Sequence, residues 1–148
     1  MSRVVLDQIN IVSGNTDASV AFYRRLGVDI PQDAIWRTAS GIHHVTGAPR
    51  SEPMAFDIDS AAFAQRWNAG WRERSDLAGR VVIGFTVSAR ADVDAIYAEM
   101  TNAGHRGLQP PVDAFWGARY AIIEDPDGIA VGLMSPIDAA KKSPPPDV

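Results

Sequence analysis

The chain contains no cysteine among its 148 residues, so disulfide bonds, thiolate metal sites and thiol nucleophiles are excluded together. A strong charge of either sign is missing too, since the formal net charge at pH 7 is -4. No basic run is interleaved with aromatic residues. We therefore expect neither nucleic acid nor a membrane as a partner.

Long apolar runs are also absent. The apolar stretch at residues 4–6 is too short for the core of a signal peptide, and no later segment is long enough to cross a bilayer. We therefore expect a cytoplasmic protein. There is no Gly-x-Ser-x-Gly elbow and no phosphate-binding loop, so no catalytic residue is assigned. The chain is 46% hydrophobic and 22% charged, which is typical of a globular domain.

A weak internal repeat divides the chain into halves, with Ile9 matching Ile83 and Tyr23 matching Tyr97. Each half begins with a strand and an amphipathic helix that ends at a glycine. The predicted helices are 18–26, capped by Thr16 or Asp17 and stopped by Gly27; 91–103, stopped by Gly104; and a short helix 61–67, capped by Ser60. The predicted strands are 4–12, 34–38, 42–45 and 54–58, then 81–87, about 107–111, 118–123 and 130–134.

The most informative stretch is a hairpin in the second half. Asp125-Pro126-Asp127-Gly128 separates two apolar strands, and its Pro and Gly suit a type I turn in which Asp125 accepts a local backbone hydrogen bond. With Trp116-Gly117-x-Arg119 ahead of it, this hairpin resembles the last hairpin of the vicinal oxygen chelate superfamily. That superfamily contains glyoxalase I, the extradiol dioxygenases, fosfomycin-resistance enzymes and bleomycin-binding proteins. The resemblance covers residues 4–136.

The resemblance implies an α+β fold with two tandem βαβββ modules that form curved mixed sheets around a cleft. One domain would span residues 1–136, with module one at about 4–59, a linker at 60–80 and module two at about 81–136. Residues 137–148 are rich in proline and lysine, and we expect a flexible tail there.

The resemblance also implies where a metal would bind, on the first and last strands of each module. Transferred by strand register, those places are Gln8, Ile58, Val82 and Gly132. In the metal-binding members the last of these places, just before a leucine on the final strand, is a glutamate. Among these side chains only that of Gln8 carries a ligand atom. Shifting the register by one residue would offer Asp57, but would turn the apolar residues of that strand outward. One or two oxygen ligands do not hold a divalent ion, so we predict no metal and no cofactor.

Aromatic residues instead point to a cleft for a flat ligand. His43 and His44 are neighbours on a strand and point to opposite faces. We favour His44 for the cleft because Ile42 and His44 line up with Trp36 and Thr38 of the neighbouring strand. Asp57 and Asp59 alternate with apolar residues and are expected to face outward. Whether Arg119 faces cleft or solvent stays open. The predicted ligand-binding residues are Gln8, Trp36, His44, Phe56, Phe85, Trp116 and Arg119.

Two functions follow from these predictions. The first is a metal-independent protein of the bleomycin-resistance type that binds an aromatic or drug-like small molecule. The alternative is a lyase, isomerase or hydrolase of the same superfamily that uses His44, Gln8 or an acidic residue; a glyoxalase I or a dioxygenase would require the metal. We also expect a homodimer, in which Trp67 and Trp71 of the linker are buried, although they could equally anchor the linker on the sheets.

Overall fold

The computed structural model describes residues 8–47, 54–67 and 81–144. The chain divides into two compact units, Met1–Arg74 and Ser75–Val148. Each unit contains one four-stranded mixed sheet, and the element order within each is that of a βαβββ module. The predicted α+β class and tandem βαβββ order are confirmed. Within the described residues, no helix is long and apolar enough to cross a membrane.

Unit one contains β1 (Gln8–Ser13), α1 (Thr16–Leu26), a 3-10 turn (Gln32–Ala34), β2 (Ile35–Thr38), β3 (Gly41–Gly47), β4 (Ala55–Ser60) and α2 (Ala61–Trp67). Its sheet has the strand order β1-β4-β3-β2, so that the last strand pairs with the first. Strands β1 and β4 are parallel, and the other neighbours are antiparallel.

Unit two contains β5 (Val82–Thr86), α3 (Arg90–Asn102), β6 (Gly107–Asp113), β7 (Arg119–Glu124), β8 (Ala130–Met134) and a final 3-10 turn (Ala139–Lys141). It repeats the topology of unit one, since its sheet has the strand order β5-β8-β7-β6. Strands β5 and β8 are parallel, and the other neighbours are antiparallel.

The C-terminal end of α1 is as predicted, whereas its N-cap is a different residue. Asn15 caps the helix, because its side chain accepts a hydrogen bond from the backbone N–H of Ala18 at 3.1 Å. The predicted caps, Thr16 and Asp17, lie inside the first turn, so that prediction is wrong by one or two residues. Asn is a strong N-cap because its short amide reaches back to the free N–H groups. Gly27 ends the helix at a φ of 103°, as predicted.

Strand β4 is buried on both faces. Phe56 and Ile58 face α1, where the ring of Phe56 meets the ring of Tyr23 at a centroid distance of 4.9 Å. Asp57 and Asp59 lie on the opposite face, yet they are only 6% and 2% exposed. Our expectation that the two carboxylates face outward is therefore wrong. Acidic side chains are rarely so buried without partners, so this second face needs its own explanation.

The hairpin between β7 and β8 forms as predicted. Asp125 Oδ1 accepts hydrogen bonds from the backbone N–H groups of Asp127 and Ile129 at 2.8 and 2.9 Å. The N–H of Gly128 bonds to the carbonyl of Asp125, and Gly128 has a φ of 84°. The aspartate side chain thus holds the turn that starts the last strand.

Part of the predicted tail contacts the loop before β7. The backbone N–H of Asp138 donates to the carbonyl of Gly117 at 3.1 Å, and that of Ser143 donates to the carbonyl of Phe115 at 2.9 Å. A side chain at Gly117 would meet the Asp138 carbonyl at 2.4 Å, so only glycine allows this approach. Residues 145–148 lie outside the described residues, and the flexibility of the tail stays a prediction.

Candidate functional site

The face of the unit-one sheet opposite α1 carries a polar strip. Asn10 on β1 pairs with Asp57 on β4, and His44 on β3 pairs with Asp59. Thr46 on β3 also pairs with Asp57. Because side chains alternate along a strand, all five point away from the apolar residues that pack on α1. The polar residues of three strands therefore meet on one face.

His44 and Asp59 form a hydrogen-bonded pair at the centre of this strip. Nδ1 of His44 lies 2.5 Å from Oδ1 of Asp59, and the amide of Asn10 donates to Oδ2 of Asp59 at 3.0 Å. The carboxylate is almost fully buried, whereas the imidazole is about one third exposed. Both carboxylate oxygens therefore act as acceptors, and together with Asn10 they fix the orientation of the imidazole ring.

An aromatic shelf lies beside this pair, and we use that name for Trp36 and Phe63. Their ring centroids are 5.2 Å apart at an interplanar angle of 79°, and Phe63 also meets the ring of His44 at 5.9 Å. Trp36 is 49% exposed. Helix α2 positions Phe63, and Ser60 caps that helix as predicted, since its Oγ accepts the N–H of Phe63 at 3.2 Å.

The two adjacent histidines are used differently. Nε2 of His43 lies within hydrogen-bonding distance of the hydroxyls of Thr38 and Ser40, at 2.7 and 3.0 Å, and its Nδ1 lies 3.1 Å from the hydroxyl of Ser60. Both ring nitrogens of His43 are therefore engaged within the sheet. His44 pairs in register with Trp36, but Ile42 pairs with Arg37 and Thr38 with Gly41, so the predicted alignment is correct only for the pair of Trp36 and His44. A ligand contact at His44 stays a prediction.

A second aromatic group lies in unit two. The ring of Trp116 packs against Phe115 and Tyr120 at centroid distances of 5.1 and 5.4 Å. Nε1 of Trp116 is buried and has no hydrogen-bond partner among the described residues. Burial raises the pKa of Tyr120, so its phenol keeps its proton at neutral pH.

Arg119 lies on the other side of β7 and is held by carboxylates. Its Nη2 and Nε contact the carboxylate of Asp94 on α3 at 2.6 and 3.2 Å, and its Nη1 lies 3.2 Å from Asp113 on β6. Arg90 bonds to Asp113 as well. The hydrogen bonds from Arg119 hold the pKa values of Asp94 and Asp113 below their usual range. These contacts connect α3 to the sheet, and a ligand role for Arg119 stays a prediction.

The remaining predicted site residues are not gathered on the polar strip. Phe56 packs on the α1 side, and Phe85 pairs with Leu133 in the unit-two sheet. The side chain of Gln8 lies outside the described residues. Of the predicted set, the described residues bring together Trp36 and His44, and sequence reasoning missed their partners Asp59 and Phe63. The signal for Asp59 was its alternation with Ile58, but we expected the face that carries Asp59 to be in solvent, and it is buried.

The observed register allows a test of the metal places of the superfamily. Asn10 and Gly84 are equivalent positions of the internal repeat, because each follows one of the matching residues Ile9 and Ile83. Asn10 pairs with Asp57 in unit one, and Gly84 pairs with Gly132 in unit two. Asp57, not Ile58, is therefore the counterpart of Gly132, and the predicted register is wrong by one residue. The apolar residues do not turn outward, since that strand is buried on both faces.

Unit two nevertheless supplies no ligand atom at its two places. Val82 is aliphatic, and Gly132 has no side chain. A Cβ at Gly132 would meet the hydroxyl of Tyr120 at 2.7 Å, so the tyrosine ring occupies the space into which a glutamate would project. The described residues contain no group of three or more histidine, aspartate or glutamate side chains placed to hold a metal ion. The side chains at these places do not fit the divalent ion of the metal-dependent members.

Comparison with known protein families finds the superfamily that the hairpin resembles. The model of the Glyoxalase/Bleomycin resistance protein/Dioxygenase superfamily matches residues 5–133. The chain belongs to this superfamily. A search among curated protein sequences returned no match.

Several solved structures are similar to this chain in fold. A glyoxalase-related enzyme from Fulvimarina pelagi has a TM-score of 0.70 at 19% identity, covering 91% of this chain and 93% of the other. A family enzyme from Burkholderia phytofirmans PsJN has a TM-score of 0.69 at 17% identity, covering 89% and 98%. TnmS3, an antibiotic binding protein from Streptomyces sp. CB03234, has a TM-score of 0.62 at 21% identity, covering 92% and 98%. At these identities the similarity shows the fold alone.

Proposed function

We propose that this superfamily member binds a flat, partly apolar aromatic small molecule without using a metal. The observation that carries the proposal is the ring of Trp36, which is 49% exposed while Phe63 and His43 hold it from the sides. A large indole left half in water, on a side chain that is already positioned, favours a stacking partner. Stacking on such a ring contributes about 0.5–1.5 kcal/mol beyond the area buried.

The polar strip supports the same proposal. Small-molecule sites are mostly apolar, with a few polar groups that fix orientation. His44 provides such a group beside the aromatic shelf, and the buried Asp59 keeps the imidazole in one orientation. That one relative of the same fold is an antibiotic binding protein is consistent with this function. The lack of ligand atoms at Val82 and Gly132 is the reason for proposing a metal-independent site.

An enzyme is the second candidate, and the pairing of His44 with Asp59 is what favours it. A histidine held by a buried carboxylate and about one third exposed has the geometry of a general base. Catalysis would require a substrate proton within about 2.6–3.2 Å of Nε2, the ring nitrogen that does not face Asp59. Turnover of a bound ligand that is lost in His44→Gln, with binding retained, would favour the enzyme over the binding protein.

A thermal-shift screen of aromatic metabolites and antibiotics, with and without Zn, Ni, Mn or Fe, tests the proposed function. Ligands that bind the native state raise the unfolding midpoint. We expect aromatic compounds to raise it equally with and without the metal, and dialysis against a chelator to leave it unchanged. Elemental analysis that finds about one tightly held transition metal per chain would contradict the metal-independent site.

A further inference from the structure

We propose that the ligand carries a hydrogen-bond donor, such as a phenolic hydroxyl, and that Nε2 of His44 accepts this hydrogen bond while the ligand ring lies on the aromatic shelf. This inference rests on the proposed function and specifies the chemical class of its ligand. It depends on which nitrogen of His44 is available, on how near that nitrogen is to Trp36, and on the polarity of the surrounding face.

The availability of Nε2 follows from the partner of Nδ1. Asp59 accepts from Asn10 through one oxygen and meets Nδ1 of His44 with the other. An ionised carboxylate has no proton to give, so the proton of a neutral imidazole belongs on Nδ1. Nε2 then carries a lone pair and can only accept. A ligand must therefore bring the proton to this contact.

Distance places that acceptor at the edge of the aromatic shelf. His44 and Trp36 are directly paired across β3 and β2, and such cross-strand neighbours have Cβ atoms about 4.5–5.5 Å apart. The ring of Phe63 touches both residues, at centroid distances of 5.2 Å from Trp36 and 5.9 Å from His44. A bicyclic ring stacked on the indole therefore brings a substituent on its edge within reach of the imidazole.

The present neighbour of Nε2 is a weak competitor. The hydroxyl of Thr46 lies 3.3 Å from Nε2. Hydrogen bonds from hydroxyl groups are usually shorter than this, at about 2.5–3.0 Å between heavy atoms. Because a threonine hydroxyl rotates freely, it can turn away when a better donor arrives, at little cost.

The surroundings of His44 also favour a donor. The same face carries the carboxylates of Asp57 and Asp59, and Oδ1 of Asn10 is buried without a hydrogen-bond partner among the described residues. The only side-chain donors among the five residues of the strip, apart from the ring itself, are the amide of Asn10 and the hydroxyl of Thr46. Among these five side chains, acceptor atoms outnumber donor atoms. A ligand that presents another acceptor, such as an ether or a carboxylate, is disfavoured.

Calorimetric titration of the full chain with 2-naphthol, 2-methoxynaphthalene and naphthalene, at about pH 8.5, tests the inference. Histidine is ordinarily neutral at that pH. We expect 2-naphthol to bind about tenfold more tightly than its methyl ether, a difference of about 1.4 kcal/mol. In His44→Phe, which keeps an aromatic ring beside Phe63, 2-naphthol and its methyl ether should bind with equal affinity.

Two further variants separate the acceptor from its surroundings. Thr46→Val should keep or increase the preference for 2-naphthol, because it removes the competing hydroxyl. His105→Gln, which changes a histidine of unit two, should leave the preference unchanged. If His44→Phe does not fold, the 15N chemical shift of Nε2 in the wild-type protein replaces it. That shift should change with 2-naphthol and stay constant with the methyl ether.

The outcomes distinguish this inference from the function on which it rests. Equal affinity for naphthol and its ether, with both lost in Trp36→Ala, would overturn the donor requirement and leave the aromatic site in place. Failure of all three probes to bind would count against the proposed function itself, and the inference would fall with it. Tighter binding of the ether than of the naphthol would show that His44 donates.

Discussion

At the scale of single residues, Gly132 determines that β8 offers no side-chain ligand for a metal. From sequence alone it is a missing ligand, because a glutamate is expected there. In the structure its lack of a side chain leaves room for the hydroxyl of Tyr120, which would lie 2.7 Å from a Cβ. No sequence pattern predicted this contact, because it depends on how β7 and β8 align. In the observed register Gly132 pairs with Ile122, and Tyr120 lies two residues before Ile122 on the same strand.

Gly132→Ala should therefore destabilise the protein by about 1–2 kcal/mol, in the range of an overpacked site. The added methyl group forces Tyr120 to move, and Tyr120 also packs on Trp116. Urea denaturation of Gly132→Ala in the wild-type and Tyr120→Phe backgrounds measures the effect. The cost should shrink when the hydroxyl is removed; an equal cost in both backgrounds would mean that another contact is responsible.

At the scale of elements, the sequence predicted the helices and strands, but it did not predict that both faces of β4 are buried. The glycine stop of α1 and the span of α2 follow from local signals, namely Gly27 and the cap at Ser60. The structure buries four successive residues of strand β4, yet the sequence of this strand alternates apolar and acidic residues, which predicts one buried face and one face in solvent. Its acidic residues were therefore assigned outward, and the pairing of Asp59 with His44 was missed.

The attachment of α3 to β7 should depend on pH through Asp94. Its pKa lies below the usual 3.8 because Arg119 hydrogen-bonds to the carboxylate. A lowered folded pKa contributes stability that is fully present above the unfolded pKa and is lost as the pH falls through the folded value. The contribution of the Arg119–Asp94 pair should not exceed about 1 kcal/mol, since the Asp94 side chain is 48% exposed and solvent screens its charge.

Arg119→Gln should consequently lower the free energy of unfolding by that amount near pH 6 and by almost nothing at a pH well below 3.8. Urea titrations of both proteins at the two pH values measure the difference. Arg106→Gln is a suitable control, because Arg106 is mostly exposed and lies 3.6 Å from Glu124. A deficit of Arg119→Gln that stays constant down to acid pH would assign its role to packing instead of charge.

At the scale of the whole molecule, self-association remains to be tested. The homodimer prediction rests on Trp67 and Trp71, whose side chains lie outside the described residues. Two indoles left in water would each forgo about 2–3 kcal/mol of burial. We expect a homodimer at micromolar concentration, loosened by Trp71→Ala without loss of ligand affinity. Analytical ultracentrifugation that shows a monomer at high concentration would contradict this.

Family membership and the tandem fold could be predicted from the hairpin and the internal repeat, because the hairpin is a local motif and the repeat shows directly as two matching halves of the sequence. The aromatic shelf could be predicted only in part. Trp36 and His44 stand out by type and spacing, but Phe63 reaches them only because α2 follows β4 directly. Such a contact between a strand and the next helix depends on three-dimensional packing, which the pattern of one chain does not encode.

The central claim is that Trp36 is the surface on which the ligand lies. The most direct measurement is the dissociation constant of the best aromatic compound from the screen, compared by calorimetry between the wild type, Trp36→Ala and Ile137→Ala. Ile137 is a matched control, since it is also a large exposed apolar residue, at 55%. We predict that Trp36→Ala weakens binding by about tenfold or more while the fold is retained, and that Ile137→Ala has no effect. Unchanged affinity in Trp36→Ala would contradict the claim.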